Sequence, residues 1–215
     1  MRTHGLRDGV SASMDQERAE QNLEIIRTLM ERATRYEYLS ARAGLQVGGI
    51  AVAGSLSFLW LDAGSPFVFG TVWTCVFALA LSVMVREQVR EVQAAGVPLW
   101  TRPAREIVRA LMPAATMAAA LSAHAFTHGR HLELPGIWML CYGCGALATS
   151  TYAPPVVFQM GVAFMLSGAL TLWLGPAWST TMMGVVFGAG HLALGAGLLA
   201  SRRRPLRRIK TAAIS

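Results

Sequence analysis

Residues 134–201 read LPGIWMLCYGCGALATSTYAPPVVFQMGVAFMLSGALTLWLGPAWSTTMMGVVFGAGHLALGAGLLAS, 68 residues without one Asp, Glu, Lys or Arg. A largely apolar run of about 18 residues already suffices to cross a hydrocarbon core of ~30 Å. This run is long enough for several crossings, and its own breaks divide it. Pro154-Pro155 and Gly175-Pro176 interrupt helical continuity. They leave spans at about 135–153, 156–174 and 178–200. A soluble enzyme is excluded at once.

Upstream, three more apolar stretches have comparable length, at about 43–61, 67–85 and 107–127. The first two are separated by Asp62-Ala-Gly-Ser-Pro66. A charged stretch from Arg86 to Arg109, broken at Gly96-Val-Pro98, separates the second from the third. Pro113 is placed to kink the third near its entry. The whole chain of 215 residues is 53% hydrophobic and only 14% charged, against about 25% charged in ordinary globular domains. The expected fold is an all-α membrane protein, a six-transmembrane-helix bundle of three helical hairpins. Its transmembrane domain covers residues 42–201.

Residues 1–12 read as a disordered tail, and Ser13 to Gln16 has the spacing of a capping box. The helix that it opens, within 13–41, carries Leu23, Ile26, Met30 and Ala33 at three- and four-residue intervals, an amphipathic stripe. This cytosolic or interfacial helix is the expected binding surface for a protein partner or a second copy of the chain. No early apolar core marks a cleavable signal, so the first span is expected to act as an uncleaved anchor.

The net charge of +7 is carried almost wholly by arginine, 18 of the 19 cations. Seven cations precede the first span, five lie between Arg86 and Arg109, and six follow residue 200. Short loops rich in Lys and Arg stay cytoplasmic. Six spans with both termini in the cytoplasm put 18 cations on one side and only Arg130 on the other. The expected location is a bacterial cytoplasmic (inner) membrane. In the basic tail, 202–215, Arg202, Arg203, Arg204, Arg207, Arg208 and Lys210 are placed to meet anionic lipid headgroups. Nucleic acid is disfavoured as a partner, since no aromatic interleaving or recognition module accompanies the charge.

The spans hold no Asp, Glu, Lys or Arg at depth, which disfavours proton relays, voltage sensors and cation-coupled carriers. A retinal-type Schiff base is disfavoured too, because Lys210 in the tail is the single lysine. Histidine is the remaining polar candidate. His191 sits in the middle of the sixth span and is the candidate, with Tyr142, to line a ligand path. Its ordinary reading is a buried imidazole bonded to a neighbouring helix. His124, His128 and His131 recur at intervals of four and three, and with Glu133 they form a candidate metal site. Against that site stands Gly129, which is placed to end the helix before His131. Haem held between His191 and His124 is geometrically poor, because the two lie at different depths. Cys141 and Cys144 have CxxC spacing, but without a thioredoxin-like context they read as small packing residues beside many glycines. No nucleophile, base and acid combine into a catalytic set, so no enzymatic activity and no cofactor are expected.

Two further patterns bear on architecture. Gly48–Leu61 (GGIAVAGSLSFLWL) and Gly161–Leu174 (GVAFMLSGALTLWL) end alike, as duplicated hairpins do in transporters. Gly184 and Gly188, with Gly195, make the sixth span a candidate close-packing interface, within the chain or between copies.

The segments Asn22–Arg27 (NLEIIR), Met30–Tyr36 (MERATRY) and Leu39–Gly44 (LSARAG) resemble those of a family of bacterial six-span membrane proteins with no assigned activity. So do Pro98–Arg105 (PLWTRPAR), Gly136–Gly143 (GIWMLCYG) and Phe187–Leu192 (FGAGHL) followed by Arg202. The resemblance implies the six-span architecture and marks His191 and the N-terminal helix as family features. It implies no substrate or catalytic residue.

The leading expectation is therefore a non-catalytic, multi-pass regulatory, sensing or partner-binding protein that acts through its N-terminal helix. The alternative is a small transporter or channel for an uncharged solute, with His191 on the path. A membrane metal- or haem-binding protein comes third.

Overall fold

The computed structural model describes residues 22–23, 40–96 and 98–200, and every element among them is helical. Six helices follow in order: α1 Ala41–Ser57, α2 Pro66–Ala94, α3 Arg102–Thr127, α4 Leu134–Thr149, α5 Pro155–Leu174 and α6 Pro176–Ala200. Side chains start three of them. Ser40, Ser65 and Thr101 accept hydrogen bonds from the amides of Ala43, Val68 and Ala104, satisfying donors that a helix start leaves free. Pro66 then follows directly, where its missing N–H costs nothing. At the far ends, Gly129 closes α3 at φ 69° and Gly175 closes α5 at φ 86°, left-handed turns that favour glycine.

Four of the six, α2, α3, α5 and α6, are long and apolar enough to cross a membrane. The other two are shorter than the expected spans. α1 has 17 residues and α4 has 16, about 26 and 24 Å of helix. α1 stops at Ser57 rather than Leu61 because the chain turns at Phe58, whose ring stacks on Phe69 at 5.9 Å. α4 is extended by single 3₁₀ turns, His131–Glu133 before it and Ser150–Tyr152 after it. Six spans are thus a finer statement than these helix lengths carry. α2 runs beyond the apolar stretch to Ala94, so Arg86, Glu87 and Arg90 are helical.

Glycine determines which helices meet. α4 and α5 pack antiparallel through Gly136, Gly143, Gly161 and Gly168, two pairs each seven residues apart. A Cβ at Gly168 would lie 2.8 Å from the Gly136 carbonyl oxygen, and one at Gly143 would lie 2.8 Å from that of Gly161. Only backbones without side chains approach so closely. α1 and α6 meet in the same way. A Cβ at Gly48 would lie 2.7 Å from Gly188 O, and one at Gly195 2.7 Å from Ala41 O. The small-residue face of α6 is therefore spent within the chain, against α1. Gly48 and Gly161, at matching places in the two similar segments, both stand at such contacts.

A second kind of packing joins the arginine-poor ends of the helices. Phe69 and Trp73, one turn apart on α2, are buried with Ala125, Leu134 and Met183, and Phe58, Ile137 and Trp138 pack around them. α3 is the least enclosed helix: none of its most apolar 18-residue window is buried. Of the amphipathic stripe, Leu23 is described and is exposed. Ile26, Met30, Ala33 and the tail cations from Arg202 to Lys210 lie outside the described residues.

Candidate functional site

His191 and Tyr142 are brought together. Leu134 to Thr149 form α4, on which Gly143 faces α5 and the neighbouring Tyr142 reaches α6. On α6, six residues, Gly184–Ala189, wind as a π-helix, a local widening that recurs at functional positions. Phe187 lies in that widened stretch, and its carbonyl oxygen is 2.7 Å from His191 Nδ1. A carbonyl can only accept, so Nδ1 carries the proton and Nε2 is the acceptor. The Tyr142 hydroxyl, 3.0 Å from Nε2, donates to it. A chain results from Tyr142 O–H through the neutral imidazole to the Phe187 carbonyl.

Aromatic rings surround this chain. The Phe187 ring lies nearly parallel to the imidazole, at 6.0 Å and 9°, and Phe164 meets it edge-on at 5.8 Å. Phe164 also contacts Tyr142 and Phe187, both at 4.7 Å. Phe164 and His191 are buried, while Tyr142 keeps 41% of its surface exposed. The arrangement satisfies an imidazole in apolar surroundings without charge, and it ties α4 and α5 to α6. Because both ring nitrogens are engaged, His191 offers no free nitrogen to a metal or haem iron in this geometry. A solute could bond to it only by displacing Tyr142.

The four candidate metal ligands are not gathered. His124 and His128 lie on one exposed face at the end of α3, with ring centroids 4.1 Å apart. His131 is turned inward. It is buried, its Nε2 is 3.3 Å from Ala63 O, and its ring sits between Phe69 at 5.3 Å and Phe126 at 6.2 Å. The positive-φ turn at Gly129 causes the separation, because it ends the helical register that would have kept all three on one face. Glu133 is held by Arg130 through two hydrogen bonds of 2.8 and 2.7 Å. That carboxylate, by its hydrogen bond and then its charge, raises the guanidinium's pKa above its usual value. Among the described residues, no group of three His, Cys, Asp or Glu side chains is placed to hold a metal ion. Cys75, Cys141 and Cys144 are free thiols, the first exposed and the second buried.

Some polar positions gave no sequence signal. Trp138 Nε1 donates to Ser122 Oγ at 2.8 Å, a cross-link from α4 to α3. Ser179 Oγ bonds the Leu132 carbonyl. Glu87 is buried although Arg86 and Arg90, its partners at 3.2 and 3.0 Å, are more than half exposed. An acid between arginines at i−1 and i+3 was the available hint, but such spacing is common on solvated helices.

No family model, curated protein or solved structure matches this chain.

Proposed function

We propose that the chain is a six-span protein of the bacterial cytoplasmic membrane, with both termini in the cytoplasm. Its bundle is a packed anchor, and it acts on a partner through the N-terminal helix rather than through chemistry at depth. The observation that carries this reading is the use made of polar groups within the helices. His191, Tyr142, Trp138 and Ser122 are spent on one another or on backbone carbonyls. Among the described residues, the Arg86–Glu87–Arg90, Glu106–Arg109 and Arg130–Glu133 groups pair near helix ends. Trp60, Trp173 and Trp178 are exposed at the arginine-poor end and Trp100 at the other, as interfacial belts require. The 3₁₀ turns flanking α4 lengthen a rod that would otherwise be short for a bilayer.

The test has two arms. Reporter fusions after residues 63, 97, 130, 153 and 176 should alternate between periplasmic and cytoplasmic, beginning periplasmic. Deletion of residues 1–40 should abolish recovery of a cross-linked partner while leaving membrane insertion intact. Two consecutive fusions on the same side would refute the six-span topology, and undiminished cross-linking would refute the role of the helix. A solute path along His191 is the weaker reading, because Tyr142 already occupies the accepting nitrogen.

A further inference from the structure

Setting His131 and Glu133 aside leaves a smaller cluster with its own chemistry. His124 and His128 are one helical turn apart, exposed, with rings 4.1 Å apart. The orientation of His128 is settled locally. Its Nδ1 lies 2.8 Å from the carbonyl oxygen of His124, and since that oxygen can only accept, Nδ1 is the protonated nitrogen. Nε2 then carries the lone pair, on a residue that is exposed. Metal-bound histidines are commonly held in this way, one ring nitrogen donating to a carbonyl and the other ligating. Thr127 Oγ1, 3.0 Å from the same Nδ1, steadies the ring further. The backbone adds a favourable field, because His128 caps the C-terminal end of α3, where the helix dipole is negative and attracts cations. The nearest cation in sequence, Arg130, is engaged with Glu133.

We propose that His124 and His128 form a two-imidazole site for a borderline divalent metal ion, with Cu²⁺ bound more tightly than Zn²⁺ as imidazole ligands generally favour. Water would complete the coordination, since the site is open. The site is independent of the proposed action of the N-terminal helix.

The experiment uses the purified full-length chain in detergent, stripped of metal and titrated with Cu²⁺ alone under a competing chelator. Electron paramagnetic resonance should report one copper per chain with nitrogen ligands from two imidazoles. His124→Ala and His128→Ala should each weaken binding by about tenfold or more, and His131→Ala should leave it unchanged. Circular dichroism on each variant identifies any loss of fold. Equal copper binding by the folded His124→Ala/His128→Ala double variant would overturn the proposal. A spectrum with one imidazole, or equal loss in His131→Ala, would overturn it as well.

Discussion

Replacing Gly143 by alanine tests whether backbone contact holds α4 to α5. The new Cβ would lie 2.6 Å from Met165 Cγ, 2.8 Å from Gly161 O and 2.9 Å from Met165 N. The Met165 side chain can turn aside, but two backbone atoms cannot. Ordinary contact begins near 3.4 Å, so the helices must part by roughly half an ångström. A gap of that size forfeits about a quarter of each dispersion well along the seam. Overpacking of this kind costs about 1–3 kcal/mol. Alanine also improves helix propensity, by up to about 1 kcal/mol, and that gain must be separated. Gly49→Ala does so, because a Cβ there meets nothing within 4 Å. The propensity gain is common to both variants and cancels in their difference. Gly143→Ala should therefore be less stable than Gly49→Ala by about 1–3 kcal/mol. Unfolding by SDS in mixed micelles, followed by tryptophan fluorescence, measures that difference. Equal stability of the two variants would refute the argument that close backbone approach joins these helices.

Other consequences follow from single contacts. Tyr142→Phe removes the donor to His191 Nε2 and should destabilise by about 0.6–1 kcal/mol, from the average found in membranes to the centre of the soluble-protein range. A double-mutant cycle with His191→Phe measures the coupling directly, and zero coupling would show that the bond contributes nothing. Ser122→Ala should cost about 0.6 kcal/mol by the same membrane average and shift the ¹⁵N resonance of the Trp138 indole, whose partner it removes; an unmoved resonance would contradict that bond. An apolar maleimide in detergent should label exposed Cys75 before buried Cys141. Simultaneous labelling would mean that the α4 packing opens readily.

The relation between sequence and site is clearest at the histidines. A spacing of four and three put His124, His128 and His131 on one face of any continuous helix, and Gly129 was the visible warning against continuity. The structure gives that glycine a positive φ, sends His131 into the aromatic cluster, and leaves a pair where four ligands had been candidates. His191 stood out as a lone polar residue in an apolar span. Tyr142 stands beside it as a candidate path-lining residue, but the hydrogen bond between the two cannot be read from spacing, because 49 residues separate them. The burial of Glu87 is a further case, since flanking arginines look alike on a buried and on a solvated helix.

Local chemistry was legible for a local reason. Apolar length, proline and glycine breaks and capping hydroxyls act within a few residues, so the helical class and the main chain breaks can be read directly from the linear order. Arginine clustering likewise supplies a topology expectation without any contact being known. Helix pairing is different, because it depends on which faces meet across long stretches of chain. Fifteen span glycines look alike in the sequence, yet Gly143 and Gly161 carry a seam while Gly49 faces open space. Only the tertiary arrangement could separate them, because the physical quantity that matters is the distance between two backbones, and that belongs to neither helix alone.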